Sequence, residues 1–131
     1  MVIDASALVA IMTGEAERRA FIEAIEEADS RWLSVATFVE GCIIIESRQG
    51  VAGLRDLDRF LELSNIEVVP VDIEQGRTAH LAYSRFGKGR HKAGLNYGDC
   101  FAYALAKILG EPLLCKGNDF VHTDLALVEV P

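Results

Sequence analysis

Four acidic residues fall at corresponding places, soon after a predicted strand or at the start of a predicted helix. They are Asp4, Glu40, Asp99 and Asp119. Sites in open α/β sheets form outside the carboxyl ends of the strands, so we expect these side chains to meet there. Four carboxylates in one place repel one another and cannot all stay ionised without a cation. Carboxylate ligands suit Mg²⁺ or Mn²⁺, which can activate water for phosphodiester hydrolysis.

Each of these acids also has an ordinary structural explanation. A carboxylate at Asp99, in the first turn of a helix, is worth about 0.5 to 1 kcal/mol against the helix dipole. Glu40 could lie on a solvated flank, and Asp119 could be a turn residue. Asp124, in HTDL, is an alternative to Asp119. Asp4 directly follows a buried Val-Ile pair and therefore needs a partner. The four positions taken together, rather than any one of them, favour a shared site.

The elements that would position these acids alternate along the chain. Short apolar runs predict five strands, at residues 1–4, 31–35, 66–71, 112–117 and 126–130. Apolar residues at helical spacing predict six helices, the first of them capped by Ser6, with a break between the third and fourth at residues 50–53. Strands separated by helices predict one α/β domain over residues 1–131, with a mainly parallel five-stranded sheet and helices on both faces.

Composition limits the classes of protein that the chain can belong to. Half of the 131 residues are hydrophobic and a quarter are charged, which is typical of a folded protein. Three cysteines without a C-x-x-C motif predict reduced thiols in the cytoplasm. Neither a signal peptide nor an apolar run long enough to span a membrane is present, so we expect a cytoplasmic protein without a membrane partner.

Charge is unevenly distributed along the chain. The net charge of −7 argues against a general nucleic-acid binder. However, no acidic residue occurs between Glu74 and Asp99, and this interval holds five basic residues: Arg77, Arg85, Lys88, Arg90 and Lys92. A local basic stretch of this kind can hold a phosphate backbone.

Four stretches of the sequence carry a resemblance to a known family. They are VIDASALVAI, the helix bearing Glu40, GKGRHKAGLNYGDCFAYALAK and PLLCKGNDFVHTDL. Together and in this order the chain resembles the PIN-domain ribonucleases of the VapC toxin class. The resemblance implies a three-layer α/β/α fold and Mg²⁺- or Mn²⁺-dependent endonucleolytic cleavage of RNA that arrests translation. It also implies a VapB-type antitoxin whose tail covers the site, and a homodimer.

Carried over residue by residue, the family's acids correspond to Asp4, Glu40, Asp99 and Asp119, the last of which precedes an aromatic residue as is common in the family. These four are the predicted catalytic residues and metal ligands, for one ion or two. The predicted substrate-binding residues are Ser6, Lys88, Arg90, Lys92 and Asn96. Tyr97 or Phe120 could stack on an unpaired base.

The sequence leaves the dimer surface and two alternative functions open. Dimer contacts could use the helix of Phe21 or the apolar stripe of the fourth helix: Leu54, Leu57, Phe60 and Leu61. A phospho-receiver domain would also have an acidic Mg²⁺ pocket and a lysine after a late strand, as Lys116 is, but it would need two adjacent acids after the first strand. The non-enzymatic alternative is a binding protein that keeps the fold without catalysis.

Overall fold

The computed structural model describes all residues from Met1 to Pro131. Four strands and five helices follow one another in this order: β1 Val2–Ile3, α1 Ala5–Met12, α2 Arg18–Glu27, β2 Trp32–Ser34, α3 Val35–Leu63, β3 Glu67–Val69, α4 Ile73–Phe86, α5 Tyr97–Leu109 and β4 Leu113–Leu114. The predicted alternation of strands and helices is thereby confirmed.

The sheet has the strand order β3-β2-β1-β4, and every neighbouring pair is parallel. Successive side chains of a strand point to opposite faces, and the two-residue strands show this directly. Val2 packs in one core cluster with Leu113, while Ile3 packs in the other with Leu114. The sheet is therefore covered on both faces, and the three-layer α/β/α architecture is confirmed.

Each face of the sheet has its own hydrophobic core. One core holds buried side chains of α1, α2 and α3, including Leu8, Phe21 and Ile45. The other holds side chains of α4 and α5, including Phe86 and Leu105. Burying one such side chain contributes about 1.5 to 3 kcal/mol, so these two clusters fix the helices against the strands that carry the acids.

The predicted fifth strand is the main departure from the expected sheet. Residues 126–130 form only one isolated bridge, between Leu127 and Leu113, with two backbone hydrogen bonds. The sheet therefore has four strands rather than five. The reason is that β4 is only two residues long, so a neighbouring segment finds almost no backbone to pair with.

One predicted helix boundary is confirmed and one is wrong. The predicted break within residues 50–53 is present at Gly50, whose φ of 68° and ψ of −160° are non-helical and separate two helical stretches of α3. Helix α1 begins at Ala5, and Asp4 rather than Ser6 is its N-cap. The prediction of Ser6 as N-cap was wrong because the shorter path from β1 leaves no residue between the strand and the cap.

The apolar residues predicted to form a dimer surface are mostly internal. Phe21, Leu57 and Leu61 are buried in the first core. Leu54 and Phe60 are only half-buried, and the same helix exposes Val51 and Leu63. The use of this helix in a dimer therefore stays a prediction. The most exposed large apolar side chain of the protein is Tyr97.

None of the helices combines the length and the apolarity that crossing a bilayer would require.

Candidate active site

A cleft of about 440 Å³ is lined by all four predicted acids, Asp4, Glu40, Asp99 and Asp119. It lies where the chain leaves β1 and β4, at the carboxyl ends of the parallel strands. Asp124 is not part of this cleft. Its carboxylate accepts a hydrogen bond from the Tyr103 hydroxyl at 2.5 Å and pairs with Lys107 at 2.9 Å.

Asp4 occupies the deepest position among the acids, with 3% of its surface exposed. Its Oδ2 accepts hydrogen bonds from the Ser6 backbone N–H at 3.1 Å and from the Ser6 hydroxyl at 2.6 Å. Its Oδ1 is buried without any hydrogen-bond partner. Burial raises the pKa of this carboxyl, and the Ser6 hydrogen bonds only partly oppose that shift. A buried carboxylate oxygen without a donor is costly, and a cation or a proton would relieve the cost.

Asp99 is held by the helix terminus that it helps to form. The Asn96 side chain accepts a hydrogen bond from the Asp99 backbone N–H at 2.9 Å. In return, Asp99 Oδ2 accepts one from the Asn96 backbone N–H at 3.0 Å, which completes a capping box. Burial raises the pKa of Asp99 to about 7, and the charges of Asp4, Asp119 and Glu40 add to the effect. Asp99 therefore serves helix initiation and the cleft together.

Glu40 reaches the cleft from α3 and lies against the first turn of α5 at Gly98. A Cβ atom placed on Gly98 would lie 2.6 and 2.7 Å from the two carboxylate oxygens of Glu40, so any side chain there would force that carboxylate to move. Burial and the charge of Asp4 raise the pKa of the Glu40 carboxyl. The glycine before Asp99 thus provides the space that the Glu40 carboxylate occupies.

Asp119 is exposed at the mouth of the cleft, and the residue after it anchors the loop. Phe120 is 2% exposed and packs in the second core. Stacking of Phe120 on a base is therefore excluded, whereas Tyr97 is exposed and packs edge-on against Phe101.

The pKa of the Cys115 thiol is affected by the charges of the acids in the cleft. Burial raises the pKa of its thiol to about 12, and the charges of Asp4, Asp119 and Asp99 contribute. The cleft is strongly negative in the absence of a cation, and the Cys115 thiol stays protonated beside it.

The donors in the cleft fit a hard divalent ion. All four are carboxylates, and one of their oxygens is buried without a partner. No three acidic, histidine or cysteine side chains converge closely enough to hold one ion as they lie. Mg²⁺ commonly binds through only one or two carboxylates and keeps several water ligands, so this spacing suits it better than a fully dehydrated ion.

The predicted substrate-binding residues are divided between two places. Ser6 and Asn96 line the acidic cleft. Lys88 lines a separate cavity of about 570 Å³ between α4 and α5, which also includes Asn96. Arg90 and Lys92 are exposed on the loop and line neither of these cavities. A backbone bridge between Gly87 and Leu95 closes the loop that carries these basic residues.

The sequence analysis did not predict three charged residues that line the cleft: Glu15, Arg48 and Lys116. Lys116 was considered there only as the lysine of a phospho-receiver domain. A signal was available for two of them. Arg48 follows Glu40 by eight residues with Ile44 between them, and four-residue spacing places side chains on one side of a helix. Lys116 follows β4 by two residues, the same argument that selected Asp119.

Comparison with known proteins identifies the family and the fold of the chain. The PIN domain family matches residues 1–125. Ribonuclease VapC30 of Mycobacterium tuberculosis is 50% identical over 131 residues, covering 100% of both chains. The solved structure of M. tuberculosis VapC20, a toxin that cleaves the sarcin–ricin loop, has a TM-score of 0.79 at 14% identity and covers 98% of both chains.

A chain from a toxin–antitoxin complex of Klebsiella pneumoniae has a TM-score of 0.70 at 16% identity, covering 97% of this chain and 95% of that one. These two structures show the fold, whereas the family match and the identity to VapC30 show the relationship. The chain belongs to the PIN-domain family and, within it, to the VapC ribonucleases.

Proposed function

We propose that this protein is the toxin of a VapBC-type pair, a Mg²⁺- or Mn²⁺-dependent endoribonuclease whose RNA cleavage arrests translation. The single nuclease domain comprises residues 1–131. The observation that carries the proposal is the cleft that four carboxylates line, with Asp4 Oδ1 buried there without a hydrogen-bond partner. Membership of the VapC ribonucleases supports the reaction, and the donor set supports the ion.

In this proposal each acid has a role that follows from its position. Asp4 and Asp99 would hold the ion directly, and Glu40 and Asp119 would complete the site. The bound ion supplies a Lewis acid for the phosphoryl group and lowers the pKa of a water molecule. The Ser6 hydroxyl keeps Asp4 oriented by its 2.6 Å hydrogen bond. Orientation fixed in advance is what makes such a site efficient.

The same proposal includes partners and a location. A VapB-type antitoxin would cover the cleft, which is supported by the likeness of the fold to a chain from a toxin–antitoxin complex. Val39 and Ile43 of α3 are exposed on either side of Glu40 in sequence and offer apolar surface to such a partner. A homodimer is proposed from the family. Three unpaired cysteines support the cytoplasm as the location.

The proposal is tested by incubating the antitoxin-free protein with a mixed, structured RNA pool in Mg²⁺, in Mn²⁺ and in EDTA. We expect discrete cuts that require the ion, because the carboxylates alone repel the RNA backbone. Asp119→Asn is expected to lower the cleavage rate by roughly a hundredfold, on the scale of a lost electrostatic contact to the reacting centre. Mapping the cuts identifies the RNA target.

Asp124→Asn is the matched control, since it is a nearby acid of the same type outside the cleft. It should weaken the contacts to Tyr103 and Lys107 and lower the melting temperature, with cleavage unchanged. Equal loss of cleavage in the two variants would contradict the assignment of Asp119. A folded protein that cleaves nothing with either metal would instead favour the binding protein that has lost catalysis.

Gly98→Ala provides an independent test of the Glu40 position. The new methyl group would displace the Glu40 carboxylate, whose oxygens lie within 2.7 Å of the Cβ position. We expect cleavage to fall by roughly ten- to a hundredfold, as for a misplacement of about 1 Å. Stability should not fall, because alanine is favoured over glycine in a helix by about 1 kcal/mol. Cleavage rates and thermal melts of the same preparations measure both effects.

Gly76→Ala is the control for this variant, because Gly76 is also helical and a Cβ there meets nothing within 4 Å. It should gain similar helix stability and cleave normally. If Gly98→Ala cleaved as fast as Gly76→Ala, the glycine would have no role in placing Glu40.

A further inference from the structure

Two cations line the acidic cleft, Arg48 from α3 and Lys116 from the loop after β4. Neither forms an ion pair with the four acids assigned to the metal. Both pair instead with Glu15, which lies in the loop between α1 and α2. Arg48 Nη1 is 3.9 Å from Glu15 Oε1, and Lys116 Nζ contacts Glu15 Oε2 and lies 3.2 Å from Glu17 Oε2.

The backbone holds Lys116 beside the metal-binding acids. Its N–H donates a hydrogen bond to the Ser6 hydroxyl at 2.9 Å, and that hydroxyl donates to Asp4 at 2.6 Å. Arg48 lies on the same side of α3 as Glu40, two four-residue steps along the helix. Both cations are thus placed next to the site where a scissile phosphate would bind.

Binding of RNA at this cleft requires positive charge to offset the repulsion between its phosphates and the acids. Each nucleotide carries a phosphate, so a strand cut here brings flanking phosphates toward a strongly negative surface. The basic residues of the loop, Arg90 and Lys92, do not line the cleft. Among the residues that do line it, Arg48 and Lys116 are the only cations.

The existing ion pairs are suited to exchange. The side chains of Arg48 and Lys116 are 55% and 40% exposed. Ion pairs with this exposure are worth about 0 to 1 kcal/mol, so replacing Glu15 by a phosphate costs little. A guanidinium can form two parallel hydrogen bonds to one phosphate. Arg48 makes only a single 3.9 Å contact to one carboxylate oxygen of Glu15, so a phosphate offers it a stronger interaction.

We propose that Arg48 and Lys116 bind the RNA phosphates that flank the scissile bond, and that Glu15 holds both cations in the free protein and is displaced when RNA enters. The inference rests on the proposed nuclease function and adds substrate-positioning residues to it. The competing explanation is a structural latch, in which Glu15 only ties two loops together. The two explanations differ in the RNA binding expected of one variant, Glu15→Gln: displacement predicts tighter binding, whereas a latch predicts no tightening.

The test measures binding of a fluorescein-labelled, single-stranded RNA of mixed sequence by anisotropy, in EDTA and over a series of salt concentrations. Arg48→Gln and Lys116→Gln are each expected to weaken binding by roughly five- to tenfold and to lower the salt slope by about 0.7, the value for one lost contact to a single strand. Glu15→Gln is expected to tighten binding, because it releases Arg48 and leaves Lys116 with Glu17 as its only carboxylate partner. Lys116→Arg keeps the charge and should bind as the wild type does.

The exposed pair Arg19 and Glu23, joined at 3.0 Å on α2, provides matched controls for the change in net charge. Arg19→Gln and Glu23→Gln should change binding much less than the cleft variants. The inference is overturned if Arg48→Gln and Lys116→Gln weaken binding no more than Arg19→Gln does, or if Glu15→Gln binds no more tightly than Glu23→Gln.

Cleavage in Mg²⁺, measured on the same proteins, separates this inference from the proposed function. Normal cleavage with unchanged binding in the cleft variants would reject the two cations and keep the nuclease. Weakened binding in a protein that cleaves no RNA would keep the phosphate contacts and reject the nuclease.

Discussion

Replacing Asp4 by asparagine is expected to abolish RNA cleavage and to leave the fold intact. Asparagine caps a helix about as well as aspartate, and its side-chain oxygen can still accept the hydrogen bond from the Ser6 N–H. What is lost is the negative charge of the buried oxygen that would hold the ion. We expect the rate to fall by at least about a thousandfold, or about 4 kcal/mol of transition-state stabilisation.

Single-turnover cleavage and circular dichroism on the same sample measure both parts of this expectation. Asp56→Asn is the matched control, since Asp56 is an exposed aspartate of α3. It should cleave and melt as the wild type does. Cleavage by Asp4→Asn within tenfold of the wild-type rate would show that Asp4 is not a catalytic residue.

Asp99→Asn is expected to stabilise the metal-free protein at pH 8. The pKa of Asp99 is about 7 in the folded protein against an ordinary value of 3.8, so the folded state binds this proton more tightly. Stability therefore falls as the pH rises between those two values and stays low above them. Removing the carboxylate should increase the free energy of unfolding by on the order of 3 kcal/mol at pH 8 and by almost nothing at pH 4.

Thermal melts in EDTA at pH 4 and pH 8 measure this effect, and a gain of about 10 °C at pH 8 corresponds to that free energy in a domain of this size. Mg²⁺ should raise the melting temperature of the wild type more at pH 8 than at pH 5, because the ion binds deprotonated carboxylates. Asp99→Asn should respond less to Mg²⁺. A variant less stable than the wild type at pH 8 in EDTA would show that the capping role of Asp99 outweighs the repulsion.

The positions of the acids could be predicted because they follow from chain order. Asp4 comes after β1 and Asp119 after β4, and parallel strands bring their carboxyl ends to one edge. Glu40 and Asp99 lie near the starts of helices that begin at the same edge. The alternation of strands and helices was enough for this inference, while the roles of the four residues as ligands stay predictions.

The cations could not be placed by the same reasoning. A run of basic residues shows where positive charge lies along the sequence, but it does not show which surface of the folded protein the basic side chains occupy. Arg90 and Lys92 lie on a loop closed by the bridge between Gly87 and Leu95, and neither of them lines the cleft. Arg48 lies on the helix of Glu40 before the kink at Gly50, so its place at the cleft follows from helical spacing rather than from a run of basic residues.

The position of β4 in the sheet has a consequence for the point during synthesis at which the cleft can form. β1 pairs with β4, which is synthesised after every other strand of the sheet. A nascent chain on the ribosome therefore carries Asp4 long before it carries Asp119 and Lys116. Domains fold as units during synthesis, so the cleft cannot assemble until β4 and the loop that carries Asp119 have left the ribosome. A chain that stops before β4 lacks one edge of the sheet together with Asp119 and Lys116, and it therefore cannot form the cleft.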